Sequence, residues 1–444
     1  MRDLFWATGL GLALFTQGCG SDGSSGESGG AGGAGGNGSC ESGGKGTLDV
    51  RIRIDTGVLA DVSFTSSTGL QQDVVSNTKI ALAAGEYSVT ARRVTTMGLT
   101  VGRAFYAKPV APICLTNGST QIATIEYQRE PGSQKLWFTG GTDAAHTGAF
   151  DEADLAASAE VAPSVTISAG LQSSRAIAFD KSGNLWLADD AGSLSMYARD
   201  SLGASRSTQP DVVLSGEALC SSGVPCGPRA LAFDNVGGLW VALSDRVSHF
   251  EAHSLSTTGE PLPDVTLTGP DLTAPSALAI DASDGLWVAN SDGGVAGFSA
   301  AHLAADSDAA AEVVLAGQTP EPQVSALEGP AALAIDTMGA LWVGYIGSNV
   351  VARYEAELLT ESATLTPSIQ LSVEGLASPQ SMAFDDSGSL WLGGAVGNLV
   401  SISAATLLSG ADASADAIIL TSRDITSAVG LAFNPPAGGT PIAR

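Results

Sequence analysis

From residue 131 onward, the chain repeats one pattern of apolar and polar positions. A run of small apolar residues ends at Asp, a turn with Gly follows, and Leu-Trp with two further apolar residues completes the unit. The clearest copy is Arg229-Ala-Leu-Ala-Phe-Asp-Asn-Val-Gly-Gly-Leu-Trp-Val-Ala242, and the tryptophan recurs at Trp137, Trp186, Trp240, Trp287, Trp342 and Trp391. The steps are 49, 54, 47, 55 and 49 residues. A period near fifty residues, made of short strands, indicates a β-propeller or a solenoid.

The two ends of the repeat region complement each other. Lys135–Thr139 has the Leu-Trp strand, but Pro131 stands where its preceding strand should finish, whereas Gly430–Asn434 has the preceding strand and no Leu-Trp strand after it. Joining these two segments completes one unit and removes exposed sheet edges. The sequence therefore predicts that residues 131–444 form a six-bladed β-propeller closed by both termini, with seven blades or an open array as the alternatives.

The repeated Trp and Asp residues are predicted to be structural. A tryptophan on the second strand of a blade is large enough to pack between blades, so we expect the Trp set to form inter-blade core rather than a row that stacks on a ligand. Each repeated Asp stands before a tight turn, where its carboxylate can accept hydrogen bonds from turn amides and Gly can take positive φ. These residues are Asp180, Asp234, Asp281, Asp336 and Asp385, and Asn434 is expected to replace Asp in the sixth copy.

Residues 46–130 predict a separate small β-sandwich. Apolar residues alternate in Leu48–Ile54, and similar runs follow to Tyr127, which gives about seven short strands. The stretch LAAGEYSVTARRV resembles a strand pair of immunoglobulin-like bacterial accessory domains, which act mainly as spacers or adhesion modules. The whole chain is thus predicted to be all-β.

The first 45 residues have the pattern of an export signal and a tether. The apolar run from Leu4 to Phe15 is too short to span a bilayer, which needs about 20 apolar residues, and fits the core of a signal peptide. Gly18-Cys19 resembles the lipobox of bacterial lipoproteins, which implies a signal peptide over 1–19 that ends at a lipidated Cys19. Residues 20–45 are rich in Gly and Ser and predict a disordered tether. Ordinary secretion and a cytosolic apolar leader are the alternatives.

The five cysteines fit this interpretation, because a lipidated Cys19 leaves four. In an exported protein the simplest pairing is two disulfides, Cys40–Cys114 and Cys220–Cys226. A metal site is the alternative, but neither pair has a CxxC spacing or a nearby His.

The charge argues against nucleic acid as a partner, because the formal net charge is −26 and clusters of Lys and Arg are absent. Acidic residues follow the Leu-Trp strands, in loops that share one face of a propeller. Oxygen ligands from Asp189, Asp245 and Asp292 could hold a calcium ion there, and Asp143, Asp190, Asn290, Tyr345 and Asn349 lie in the same loops. The alternative is that all are ordinary polar loop residues.

The sequence motif LAFDxxGxLWVA resembles the repeats of NHL-type propellers and of their regucalcin, gluconolactonase and virginiamycin B lyase-like relatives. The segment KLWFT at 135–139 is similar to the LWFT motif of the lyase-like repeats. The resemblance implies the fold, but members range from scaffolds to lactonases and lyases. None of the four His residues shows a metal or triad spacing.

We therefore expect an exported lipoprotein, anchored to the bacterial outer membrane or cell surface through its lipid alone. It would act as a non-catalytic binding or scaffold propeller, with an envelope protein, a glycan or a small molecule as its partner at the loop face. A hydrolase or lyase that depends on a divalent cation is the competing hypothesis, with calcium as the one cofactor considered. A structural remnant of a surface array, without a ligand, is the third.

Overall fold

A computed structural model describes residues 40, 43–140, 147–168, 171, 173–220, 227–291, 293–317, 329–346, 350–373, 375–410 and 417–436. This part of the chain is all-β, with one short α-helix, α1 (Ala404–Ser409), and a few 3₁₀ turns. The predicted signal peptide, Cys19, Cys226, Asp143, Asp292 and Asn349 lie outside the described residues. None of the described helices is long and apolar enough to cross a membrane.

Residues 45–129 fold into two sheets that enclose one apolar core. The strands are β1 (Lys45–Arg53), β2 (Val62–Ser66), β3 (Gln71–Val74), β4 (Thr78–Ala83), β5 (Gly85–Ala91), β6 (Val94–Thr96), β7 (Arg103–Ala107), β8 (Ile113–Leu115) and β9 (Thr120–Arg129). One sheet has the order β4-β1-β9-β7-β6 and the other β3-β2-β5-β8. Val50, Phe64 and Phe105 lie fully buried between them. The predicted disulfide between Cys40 and Cys114 is present and ties the start of this domain to β8.

The repeat region continues with strands that are three to six residues long, apart from one two-residue strand. They are β10 (Lys135–Thr139), β11 (Thr147–Asp151), β12 (Ala159–Glu160), β13 (Val165–Ile167), β14 (Ser174–Phe179), β15 (Leu185–Asp189), β16 (Ser193–Tyr197), β17 (Val212–Leu214), β18 (Ala230–Phe233), β19 (Leu239–Ala242), β20 (Val247–Phe250), β21 (Val265–Leu267), β22 (Pro275–Ile280), β23 (Leu286–Asn290), β24 (Val295–Phe298), β25 (Val313–Gly317), β26 (Pro330–Ile335), β27 (Leu341–Tyr345), β28 (Val350–Tyr354), β29 (Ala363–Leu365), β30 (Ile369–Ser372), β31 (Pro379–Phe384), β32 (Leu390–Gly394), β33 (Asn398–Ile402), β34 (Ile418–Thr421) and β35 (Gly430–Asn434).

These strands form antiparallel units with a common order from first to fourth strand. We number them sheet 1 (β35-β10-β11-β13), sheet 2 (β14 to β17), sheet 3 (β18 to β21), sheet 4 (β22 to β25), sheet 5 (β26-β27-β28-β30) and sheet 6 (β31 to β34). Sheet 1 takes its first strand from the C-terminal end of the described chain. Trp137 pairs with Ala432 and Lys135 with Asn434, so the two terminal segments join in the register that the repeats predict.

The first strands of consecutive sheets contact one another, and β35 of sheet 1 contacts both β31 and β14. Between the sheets lie the tryptophans, all at most 6% exposed. Each packs on the next sheet: Trp186 on Leu239 and Val241 of sheet 3, and Trp391 on Leu136 and Phe138 of sheet 1. Since a buried Trp removes about 150–250 Å² from water, each contributes at most about 4–6 kcal/mol. The Trp set is core between sheets, as predicted.

The outer rim is also interlocked. In several sheets the fourth strand pairs in parallel with the segment that follows the third strand of the next sheet. The pairs are Ile167 with Arg206, Leu214 with Gly259, Leu267 with Ser307, β25 with β29, and β34 with β12. Together with the inner contacts, this arrangement has the topology of a β-propeller.

The repeated Asp has two uses in the structure. One carboxylate oxygen accepts hydrogen bonds from turn amides, as Asp180 does from Ser182 and Asn184, with Gly183 at φ 81°. The other oxygen accepts the indole N–H of the tryptophan six residues on, at 3.0–3.2 Å for Trp186, Trp287, Trp342 and Trp391. The turn is thereby fixed to the inter-sheet core.

The expectation for Asn434 was wrong. β35 pairs with β10 from the other end of the repeat region, so no hairpin turn joins these two strands, and Trp137 donates to the carbonyl of Gly132. Asn434 donates to the Glu130 carboxylate at 2.9 Å and accepts from Arg93 at 2.9 Å. Arg93 also binds Glu130 through two hydrogen bonds. The small domain therefore contacts β35, the strand that closes sheet 1.

This contact fixes the face on which the small domain lies. Besides Asn434, it binds Asp386 in the turn between the first and second strands of sheet 6, through the amide of Gly98. It also binds Glu152, just after the third strand of sheet 1, through the amides of Thr100 and Val101. We call this the turn face. The opposite face, formed by the loops after the second and fourth strands, is the loop face.

One sheet varies the Asp–Trp contact. In sheet 3, Asp234 accepts from His249 Nε2 at 2.9 Å, while Nδ1 of the same ring lies 2.9 Å from Asp264. Burial alone would lower the pKa of His249, but the hydrogen bonds and charges of the two carboxylates outweigh it and raise the pKa above its ordinary 6.5. Burial alone would raise the pKa of Asp234. The hydrogen bonds from His249 and from backbone amides outweigh burial and lower this pKa below 3.8.

These shifts predict a pH dependence of stability. Because the pKa of His249 is raised, its ion pairs stabilise the fold fully below about pH 6.5, and this stabilisation is lost as the pH rises through the pKa of His249 in the folded protein. Because the pKa of Asp234 is lowered, its contribution is present above about pH 3.8. We compare the wild type with His249→Met, because Met196 has the equivalent place in sheet 2. The loss of unfolding free energy, on the order of 1–3 kcal/mol, should be larger at about pH 5.5 than at about pH 8.5. Equal losses at both pH values in chemical denaturation would refute the charged pair.

Candidate functional site: the mouth of the loop face

The first strands of the six sheets contact one another in a cycle, and we call the space that they surround the channel. Each first strand has the first strand of another sheet on either side. Its solvent-exposed side chains are therefore expected to face the channel. One alanine in each of these strands remains partly exposed, and together they form a ring of small side chains: Ala178, Ala232, Ala279, Ala334, Ala383 and Ala432. The channel wall at this level is uniform and apolar.

Toward the loop face, four of these six strands carry a β-bulge. The register skips one residue between Ser174 and Ala176 in β14, and at the equivalent places in β22, β26 and β31. A bulge leaves one residue unpaired and changes the direction of its side chain. The bulged residues are Arg175, Ser276, Ala331 and Gln380, and the residues at the same place in the repeat of the two sheets without a bulge are Arg229, directly before β18, and Val429, directly before β35. We call this set the mouth ring.

The mouth ring is where the repeats differ most in chemistry. The alanine ring beneath it is the same in every sheet, while the mouth ring contains two adjacent arginines, a serine, a glutamine and two apolar residues. All of its members except Ala331 are partly exposed. A position that varies within an otherwise repeated frame is free of the packing that the frame imposes, so it is the best candidate for function.

The two arginines have different surroundings. Arg175 donates from Nε to both oxygens of Asp190 at 2.8 Å, and Asp190 also accepts from the Ser173 hydroxyl. Arg229 is half-buried, and among the described residues its guanidinium has no ion pair, hydrogen bond or ring contact. The mouth ring therefore holds one compensated and one uncompensated positive charge.

The described segments 215–220 and 227–229 border this side of the mouth. Arg246 forms an ion pair with Asp245 and donates to the carbonyls of Glu217, Ala218 and Cys220, which fixes the segment before β18. Cys220 is disulfide-bonded, and its predicted partner Cys226 lies outside the described residues. A Cβ on Gly227 would lie 2.3 Å from the carbonyl oxygen of Asp189, so this loop lies against the loop after β15.

The two described acidic residues among the three proposed calcium ligands, Asp189 and Asp245, have other partners. Asp189, at the end of β15 in sheet 2, is 1% exposed and accepts hydrogen bonds from the amides of Ser173 and Ala191. Asp245, in sheet 3, forms an ion pair with Arg246 of the same loop. Asp292 is outside the described residues, within which no group of three His, Cys, Asp or Glu residues could hold a metal. The calcium site stays a prediction.

Other loop residues named from the sequence also serve the fold. Asn290 accepts from the amide of Thr273 and donates to the carbonyl of Asp271, which joins two loops of sheet 4. Tyr345 is 3% exposed, its hydroxyl lies 2.7 Å from that of Tyr354, and burial raises its pKa.

Sequence reasoning missed Arg175 and Arg229. Their signal was visible in the words SSRAIAFD and GPRALAFD, where Arg stands directly before the repeated strand. The bulge that turns this position into the mouth ring depends on strand pairing, which the sequence pattern does not reveal.

A concavity of about 330 Å³ lies on the turn face between sheets 5 and 6. Its walls include Met97 of the small domain, Met338 and Leu408, and Trp342 and Phe384 also line it. Its carboxylates Asp336 and Asp385 already bind tryptophan indoles. We therefore assign this groove to the Asp–Trp frame and not to a binding site.

No family model and no curated protein matches the sequence. Among solved structures, the chain is similar to one titled "Streptogramin B lyase structure", at 12% identity and a TM-score of 0.35, over 56% of this chain and 69% of that one. At this TM-score the likeness carries no argument, and the fold described above rests on strand pairing and packing. The resemblance to NHL-type repeats stays a prediction.

The hydrogen bonds of Asp189 predict a structural rather than a metal-binding role. Asp189→Ala should lower the free energy of unfolding by about 1–3 kcal/mol, because it removes the acceptor of two partly buried amide hydrogen bonds. The loss should be the same with added calcium and with a chelator. Asp245→Ala, which removes an exposed ion pair, should cost about 1 kcal/mol or less. A melting temperature that rises with calcium in the wild type but not in Asp189→Ala would establish the calcium site instead.

Proposed function

We propose that the six sheets are the blades of a closed six-bladed β-propeller, and that this propeller is a non-catalytic binding protein of the bacterial cell envelope. The cyclic contacts of the first strands, from β14 through β31 to β35 and back, support the closed ring. The two-sheet domain before it is proposed to be an immunoglobulin-like spacer, as its five- and four-stranded sheets around one core suggest.

We further propose that Cys19 carries the lipid anchor and that residues 20–45 form the tether. The Cys40–Cys114 disulfide supports export, since such bonds persist in oxidising compartments. A tether that ends at the small domain would hold the turn face toward the anchor and leave the loop face open. Retention of a Cys19→Ala variant in the membrane fraction, to the same extent as the wild type, would refute the anchor.

The observation that carries the binding role is the mouth ring. Its polar side chains stand above a uniform apolar channel wall, on the face that the small domain leaves uncovered. For a nucleophile it offers Ser276, whose hydroxyl is committed to the carbonyls of Ala289 and Pro330 and has no general base beside it in the described structure. Binding an envelope protein, a glycan or a small molecule suits this surface better than catalysis.

A matched pair of Val→Trp substitutions tests the binding face. Val429→Trp places a large side chain in the mouth ring, whereas Val236→Trp adds the same group at a 75% exposed position on the turn face. We measure thermal shift and calorimetric binding for a panel of neutral oligosaccharides, muropeptides and small organic acids. We expect at least one class to bind the full-length wild type and Val236→Trp, and to bind Val429→Trp about tenfold or more weakly. Equal binding by both variants, or no binding by any class, would refute the proposal.

A further inference from the structure

An arginine without a partner is an unusual feature of this chain. Most arginines here bind carboxylates, including Arg93, Arg175, Arg206, Arg246 and Arg353. Arg229 is as shielded from solvent as many of these, yet has no such partner in the described residues. Holding a guanidinium partly out of water without an acceptor reduces stability. A residue kept only for packing would not need the charge, so the charge at this place points to a ligand.

The local electrostatics select the charge of that ligand. Arg175 is neutralised by Asp190, and Arg246 by Asp245. Asp189 is buried behind the amides that it accepts from. Among the described residues of the mouth, Arg229 is thus the arginine whose positive charge has no carboxylate bound to it, in a molecule whose net charge is −26. The field of the whole protein repels multiply charged anions, so the mouth suits a group with a single negative charge.

The shape of the guanidinium indicates which chemical group of the ligand Arg229 would bind. Arginine presents a planar fork of N–H donors that matches a carboxylate with two parallel hydrogen bonds. Ser276, on one side of Arg229 in the ring, donates its proton to backbone carbonyls and so offers only an acceptor to a ligand. Gln380 stands across the ring and can donate or accept. Beneath them the alanine ring offers an apolar floor.

We infer that the mouth ring recognises the carboxylate of a monoanionic organic ligand, with Arg229 as the residue that binds it. This inference rests on the proposed function and narrows it, because it names the ligand class at the same face. The rest of the ligand would reach across the channel toward Gln380, over the alanine ring. Arg175 borders the bound group and is held in place by Asp190.

Two substitutions with the same change in charge test the inference. Arg229→Gln removes the guanidinium from the mouth ring. Arg423→Gln removes one on the outer rim, where Arg423 is 89% exposed and pairs with Glu160. The probes are sodium glucuronate, glucose as its neutral counterpart, and inorganic phosphate, titrated calorimetrically into the full-length protein at constant ionic strength.

We expect glucuronate to bind the wild type and Arg423→Gln alike, and to bind Arg229→Gln at least about tenfold more weakly, as the loss of a charged hydrogen bond implies. Glucose and phosphate should bind more weakly than glucuronate. The melting temperature of ligand-free Arg229→Gln should be unchanged or higher, because the variant loses an unpaired charge. A lower melting temperature together with unchanged glucuronate binding would assign Arg229 a structural role and overturn the inference.

Other outcomes separate this inference from the function on which it rests. Phosphate that binds through Arg229 more tightly than glucuronate overturns the carboxylate. Glucose that binds as well as glucuronate, equally in Arg229→Gln, also overturns it but leaves the loop face as a binding surface. If glucuronate does not bind while the Val429→Trp comparison reveals another ligand, the carboxylate assignment fails alone. If no probe in either experiment binds, both proposals fail.

Discussion

The pairing of β10 with β35 is the constraint on which the rest of the structure depends. It joins segments almost 300 residues apart in the sequence, and it gives sheet 1 the first strand that its own end of the chain lacks. Without it, β10, β14 and β31 would lose a neighbour, and Trp391 and Trp137, which lie between sheets, would lose packing partners. The small domain reinforces this joint, since Glu130 is fully buried and bound by both Arg93 and Asn434. A buried carboxylate needs its partners in place, so this contact ties the last strand to the domain that precedes the repeats.

A repeated frame of this kind separates the residues that stabilise the fold from those that are free to serve function. The repeated residues make the contacts that stabilise the fold: the turn Asp binds turn amides and the Trp indole of its own sheet, and the Trp packs on the neighbouring sheet. The bulge at the start of the inner strands lies outside those contacts, and its residue can change from Arg to Ala without altering the frame. Function is therefore expected where the repetition fails, and this is where two arginines stand side by side above a wall of alanines.

Much of the fold was predictable because the repeat encodes it locally. The alternation of apolar residues gave the strands, the spacing of the tryptophans gave the sheets, and the incomplete units at the two ends gave the pairing of Trp137 with Ala432. What failed depended on contacts between distant segments. Asn434 could not keep the role of the repeated Asp, since the small domain replaces the missing turn. The His249 contact with Asp234 and the Arg353 contact with Asp336 arise from third-strand residues that no local pattern links to the turn.

The site was less predictable than the fold, for the same reason. Acidic loop residues stood out in the sequence, yet Asp189, Asp190 and Asp245 are used by amides or by arginines in the structure. Arg175 and Arg229 belong to the repeated sequence motif itself. Their place at the mouth becomes apparent only from the strand pairing, which shows a bulge at Arg175 and at the equivalent position of three other sheets.

Hydrogen exchange of the amides in residues 135–139 tests the central claim of a closed ring most directly. Buried central strands of a native sheet exchange only through larger openings. The account predicts that these amides are as protected as those of 185–189 in sheet 2, and that truncation after residue 429 removes the protection of 135–139 first. Rapid exchange of 135–139 in the intact chain, or protection unaffected by the truncation, would contradict it.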